Sequence, residues 1–367
     1  MRRFLILFLI ISHCAMASEI DSFTARSQLI ADPNPQNLEF INQYVNRLIK
    51  EAVIETRGCD REAFYDNLLG KLGGMTKDAF NREAENNNSL IKAKPAFDLS
   101  IYADAKEPDS LWFPIRMPGV YNPALGVNGL IIGTDKVSHF LGTGFVYFYY
   151  VRSHRQPTLR DLLDFGIFTE TTFYGLTTTG VFSRGDLAAN YEGFLFWQDL
   201  LGERYFEEAR VPKNYVTCVS GQWALNKQAA FNINTYLSPA WDESVNCSSY
   251  STRRMARSVN NRINVAQGGY ACPLEVHRCK AIVERYRQQL LVLNYLLTPT
   301  CQFAEKVNFE ELGVRGDPFN LKAIEQFSTH PHSLKKLWFS LEEQLSLELK
   351  DLYKKIVRSF RSRRDEL

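Results

Sequence analysis

The sequence predicts a mostly α-helical globular protein. It is a multi-helix body with irregular connections rich in proline and aromatics, and its C-terminal half is stapled by disulfides. Three observations carry this. Apolar residues recur at helical spacing over several long stretches, and few segments alternate as a strand would. Hydrophobic residues are 45% of the chain and aromatics 13%, enough for a packed core, which excludes global disorder. Of seven cysteines, only Cys14 and Cys59 precede residue 217.

The chain opens MRRFLILFLIISHCAMA. Basic Arg2 and Arg3, an apolar run from Phe4 to Ile11 and the small-x-small Ala15-Met16-Ala17 predict a secretory signal peptide over residues 1–17. The apolar run is too short to span a bilayer. Ile-Ser-His before Cys14 lacks the small residues of a lipidation signal. The expected location is therefore the periplasm or cell envelope. Without Arg2 and Arg3, the 43 basic residues become 41, equal to the 41 acidic ones, and nothing in that balance points to nucleic acid. The remaining cysteines are Cys59, Cys218, Cys247, Cys272, Cys279 and Cys301. An even number in an exported chain predicts disulfides, with 15 possible connectivities. Zinc is the weaker reading, because no CxxC occurs and Cys272, His277 and Cys279 lack a familiar ligand spacing.

The predicted organisation is an N-terminal helical domain over 18–202, a cysteine-containing helical and irregular region over 203–324, and a charged helix with a basic tail over 325–367. Residues 18–35 read as a loosely held arm ending in Asp-Pro-Asn-Pro. Asn37 to Glu55 carries apolar residues at Leu38, Ile41, Val45, Leu48, Ile49, Ala52 and Val53, a helical stripe. Gly58 ends it, and a second helix covers Arg61 to Leu72. The polar run Asn81 to Asn88 reads as a surface loop or helix end. Residues 95–128, with Pro95, Pro108, Trp112, Pro114, Pro118, Tyr121 and Pro123, read as an irregular crossing over the core. Thr134 or Asp135 starts a helix to about Arg152. Further helices are expected at Leu159 to Tyr174, Asp186 to Leu201, Arg253 to Val265 and Glu275 to Leu297. Glu325 to Arg361 completes the set, broken at His330-Pro331-His332. The tail, with Lys354, Lys355, Arg358, Arg361, Arg363 and Arg364, is basic and amphipathic. It can lie on an anionic membrane surface, or it is a solvated helix end.

The stretch that reads as a site runs from Gly133 to Trp197. Asp135 and His139, Glu170 and Tyr174, and Asp186 and Asn190 each stand four apart, so each pair shares a helix face. Several readings follow. Asp135, His139, Glu170 and Asp186 suit a divalent metal. Without metal, His139, Glu170 and Asp186 can run hydrolysis, with His139 as base and a carboxylate orienting its ring. Lys136, Arg184 or the Thr177 to Gly180 loop can hold an anion such as phosphate, and Tyr174 and Asn190 line the same spot. Equally, the group can be a buried polar network joining helices, with Asp135 and Asp186 as caps.

At DKVSHF, Glu170 and GDLAANYEG the chain resembles two related groups, the VanZ-like bacterial membrane proteins and the YfiM-like predicted lipoproteins. The residues that carry the likeness are Asp135, Lys136, His139, Phe140, Glu170, Asp186, Leu187, Asn190 and Gly193, with Arg184 near an arginine frequent in VanZ-like chains. About 65 residues are covered. This segment is less hydrophobic than VanZ-like membrane helices, and the flanks match neither group. The resemblance implies a bacterial envelope protein and no particular reaction.

Overall fold

The computed structural model describes residues 18–29, 35–72, 79–106, 109–110, 115–116, 119–206 and 211–307. The expected leader and the C-terminal helix with its basic tail lie outside these residues.

The described protein is mostly helical. Helix α1 (Pro35–Glu55) buries Ile41, Tyr44, Val45, Leu48, Ile49 and Ala52, the stripe that its 3.6-residue period dictates. Helix α2 (Arg61–Leu72) buries Phe64, Tyr65, Leu68 and Leu72. The asparagine-rich run forms helix α3 (Ala79–Asn86). Three short antiparallel strands follow, β1 (Lys92–Ala93), β2 (Ala124–Val127) and β3 (Leu130–Gly133). Asn128 and Gly129 join β2 to β3, both at positive φ (50° and 76°), the backbone a tight two-residue hairpin requires. The described residues of the crossing over 95–128 are thus mostly irregular at first and strand-forming at its end.

Helix α4 (Thr134–Ser138) leads into a widened π turn, His139–Thr143, and then helix α5 (Gly144–Ser153). Helix α6 (Leu159–Thr169) opens on a Thr158–Asp161 capping box, which satisfies two otherwise orphaned amides. It ends in a second π turn, Glu170–Tyr174. Strand β4 (Val181–Phe182) precedes helix α7 (Arg184–Leu201). Ser183 caps α7 at its start, and Gly202, at φ 67°, ends it. Helix α7 is buried from Arg184 to Leu200. A helix enclosed on all sides is the centre of its domain, and the other elements wrap it.

The closest wrapping is by the π turn and α5. A Cβ on Gly193 would lie 2.1 Å from the Phe140 carbonyl oxygen and 2.9 Å from Gly144 Cα. Backbone meets backbone there. We expect Gly193→Ala to lower the melting temperature. Forcing a methyl into a filled site costs about 1–3 kcal/mol, and alanine's helix propensity returns about 1 kcal/mol. A clash against rigid backbone sits at the upper end, so the net loss is about 2 kcal/mol, roughly 4–8 °C. A variant melting at or above wild type would contradict this crossing.

Strands β5 (Val216–Val219) and β6 (Gln222–Leu225) form an isolated hairpin, and β7 (Ser249–Tyr250) pairs with β4. Helix α8 (Arg253–Ala266) follows. The single helix expected over 275–297 is two, α9 (His277–Tyr286) and α10 (Leu290–Leu296), before α11 (Pro299–Ala304). The disulfides are Cys59–Cys218, Cys247–Cys272 and Cys279–Cys301. Two staple the C-terminal half, and the first ties it to α2's approach. Three disulfides fit a non-cytoplasmic, oxidising setting. Among the described residues no helix is long and apolar enough to cross a membrane.

Residues 18–29 overturn the expectation of a loose arm. Glu19, Ile20, Phe23 and Ala25 are all buried. The Glu19 amide donates to the Val120 carbonyl at 2.7 Å, and the Asn122 amide to that of Glu19 at 2.8 Å. Arg26 pairs with Asp242 and Glu275. Apolar Ile20, Phe23 and Ala25, with no regular period, do the anchoring, and the polar Asp-Pro-Asn-Pro that follows masked them in the sequence.

Candidate functional site: a buried ion cluster

Helix α4 brings in Asp135 and Lys136, both wholly buried. The Asp135 carboxylate folds back on the start of its own helix, where Oδ1 accepts the Lys136 amide at 2.8 Å. That position is open because residue 133 is glycine. A Cβ there would fall 1.7 Å from Asp135 Oδ1. The Lys136 ammonium has three carboxylate neighbours: Asp135 Oδ2 at 2.8 Å, Asp186 Oδ1 at 2.6 Å and Glu243 Oε1 at 2.8 Å. The Asp186 contact lacks hydrogen-bond angles, but at 2.6 Å between opposite charges it is an ion pair. Gly185 gives the lysine stem room, 3.0 Å from where its Cβ would be. Burial works against the Lys136 charge. Asp135, Asp186 and Glu243 outweigh it and hold the ammonium well above its ordinary pKa.

Ser183 is the hub beneath. Its hydroxyl donates to Glu243 and accepts the Asp186 amide at 3.1 Å, while its own amide donates to Glu170 Oε1 at 2.9 Å. Glu170 is wholly buried. Burial first, then the charge of Asp186, raises its pKa well above the usual carboxyl range. The Ser183 amide and Lys136 pull the other way, and Glu243 adds to the rise. Asp135 is also raised, by burial, against the pull of Lys136.

His139 opens the first π turn at the rim of the cluster and is 7% exposed. Its Nδ1 donates to Asn190 Oδ1 at 3.0 Å, and Nε2 lies 3.6 Å from Asp186 Oδ2. Asn190 Nδ2 in turn reaches the Tyr147 hydroxyl at 3.4 Å. The Tyr174 ring stands edge-on to the imidazole, 6.0 Å between centroids.

The structure therefore gathers Asp135, Lys136, His139, Asp186 and Asn190 by direct contact, Tyr174 beside His139, and Glu170 through Ser183. Arg184 is held elsewhere. Its Nη1 donates to the Tyr295 carbonyl at 2.9 Å, and its guanidinium lies over the Phe182 ring. The Thr177 to Gly180 loop already holds a carboxyl group from this chain: Thr179 Oγ1 donates to Glu19 Oε1 at 2.5 Å.

The metal reading names Asp135, His139, Glu170 and Asp186. Among the described residues no group of three or more histidine, cysteine, aspartate and glutamate side chains is arranged to hold a metal. The physical reason is Lys136. Its ammonium takes the place between the carboxylates that a cation would need. Asp135 and Asp186 are not caps either, because Ser183 caps α7 and Asp135 is spent on Lys136. A surface cleft of about 340 Å³ beside Arg152, His154 and Tyr205 shares no lining residue with the cluster.

Sequence reasoning missed Glu19, Ser183 and Glu243 as members. Glu243 carried a signal: Asp242-Glu243 is an acidic pair set in the otherwise apolar Pro-Ala-Trp…Val, after a Pro239 turn. Glu19 carried none. Comparison with protein-family models, with curated proteins and with solved structures found no match to this chain.

Proposed function

We propose that this chain is an exported envelope protein, of the kind its likeness to VanZ-like and YfiM-like proteins implies, and that its polar centre is architectural. The cluster ties α4, α7, the second π turn, the N-terminal arm and the 239–243 turn into one body. The observation that carries this reading is the Lys136 ammonium, enclosed and paired with three carboxylates. A catalytic base needs a ring nitrogen turned towards substrate. Both nitrogens of His139 are turned to internal partners. The protein's outward role in this proposal is binding, at the envelope, with the basic tail near the C-terminus as its contact to anionic lipid.

A second reading, a metal-assisted or His-dependent hydrolase acting on an envelope phosphate ester, draws on one observation. His139 and Glu170 each begin a π turn, and such turns concentrate at functional sites.

Metal analysis of the purified protein, beside His139→Ala, separates the two. We expect no stoichiometric metal. The variant leaves the Asn190 carbonyl unpaired, at a cost of about 1–3 kcal/mol, and should melt roughly 2–12 °C lower. Stoichiometric metal that disappears in a variant of unchanged melting temperature would overturn the architectural reading.

A further inference from the structure

The cluster holds five carboxyl groups, Glu19, Asp135, Glu170, Asp186 and Glu243, around one ammonium and one imidazole. All are buried. Three of the carboxyls share Lys136. Glu19 does not touch it. Its Oε1 accepts the Thr179 hydroxyl, and its Oε2, with no exposure to solvent, has no hydrogen-bond partner among the described residues. An ionised carboxylate in that position would keep a full lone-pair oxygen dry and unpaired beside two like charges, which proteins avoid by taking up a proton.

We propose that Glu19 is a neutral carboxylic acid in the folded protein, and that its proton is the condition for docking the N-terminal arm, so that the arm is a latch released as pH rises. The groups facing Glu19 are Glu243 and Asp186, both acidic, Lys136 and Thr179, with Tyr102, Tyr250 and Asp21 behind. Burial, then Glu243 and Asp186, push its pKa well above the ordinary range, against the smaller pull of Lys136 and Thr179. The sign follows. The docked arm binds a proton that the released arm has lost above the ordinary carboxyl range near pH 4.3. Docking is then strongest in acid, weakens from that pH upwards, and stops weakening once pH passes the docked value.

The test is amide hydrogen exchange of residues 18–29, corrected for the intrinsic pH dependence of exchange, in wild type, Glu19→Gln and Glu170→Gln. Within the window wild-type protection should fall by up to tenfold per pH unit, the limit for one proton. Glu19→Gln, a neutral mimic, should stay protected with a shallower profile, the remaining slope coming from Asp21 on the same arm, whose carboxyl burial also pushes up, and Glu170→Gln should keep the wild-type slope. Parallel profiles in wild type and Glu19→Gln would overturn the proposal. So would a slope lost in Glu170→Gln and kept in Glu19→Gln. Should Glu19→Gln fail to fold, infrared spectra of Glu170→Gln with carboxyl-labelled glutamate decide, because Glu170 is itself held above the ordinary carboxyl range. A protonated-acid carbonyl band that vanishes together with arm protection supports the latch, and its absence at neutral pH overturns it. Metal content and His139→Ala do not enter this test, so its failure leaves the architectural reading standing.

Discussion

Lys136→Met should be the most damaging single substitution in the described protein. Methionine fills nearly the same space but carries no charge. Asp135, Asp186 and Glu243 would then face one another, buried, with no cation between them. Breaking a buried ion pair by removing one partner costs about 3–5 kcal/mol. At roughly 2–4 °C per kcal/mol for a domain of this size, the melting temperature should fall roughly 6–20 °C. The pH dependence identifies the cause. The orphaned carboxyls can discharge by protonation, so the gap to wild type should narrow as pH drops. Adding Glu243→Gln to Lys136→Met removes one of the repelling charges and should recover part of the loss, a coupling that a double-mutant cycle measures. Equal stability of Lys136→Met and wild type near neutral pH would show that the ammonium is not what holds the carboxylates together.

Removing the Cys59–Cys218 disulfide should have a comparable effect. It closes a loop of 159 residues, whereas Cys247–Cys272 and Cys279–Cys301 close 25 and 22. In the chain-entropy account a cross-link acts by restricting the unfolded chain, and its effect grows with the logarithm of the loop. That gives about 5 kcal/mol for the first and about 3 kcal/mol for each of the others. The bond also anchors an isolated hairpin. Trp223 on β6 packs on Phe64 of α2, and its indole N–H donates to the Asp60 carbonyl. We expect the double change Cys59→Ser, Cys218→Ser to lower the melting temperature more than Cys247→Ser, Cys272→Ser does, each measured without reductant. The reverse order would contradict the loop-length account.

What the sequence revealed of this site was its helical half. Asp135 and His139, and Asp186 and Asn190, were legible because four-residue spacing on a helix is local, and His139 does sit between Asp186 and Asn190. As one charge in a motif Lys136 looks like an anion holder, and only the fold shows that the anions it meets are side chains of its own protein. Glu19 was out of reach, because a contact across 160 residues, to Thr179, leaves no periodic trace. The break between α9 and α10 was missed for a related reason. No proline or glycine marks Arg287 to Gln289, and packing sets the bend. The Asn128-Gly129 hairpin was legible in principle from its turn chemistry and went unseen among the aromatic residues before it.

The cluster draws on positions 19, 135, 136, 170, 183, 186 and 243. A chain made from its amino end presents Glu19 first and Glu243 last. The arm meets Val120, Asn122 and Thr179 earlier, but Arg26 cannot pair with Asp242 and Glu275 until at least some two-thirds of the polypeptide has appeared. Loop closures of this span are slow to nucleate. A fragment ending before residue 242 should therefore hold the arm without its ion pairs, however many of its helices have formed.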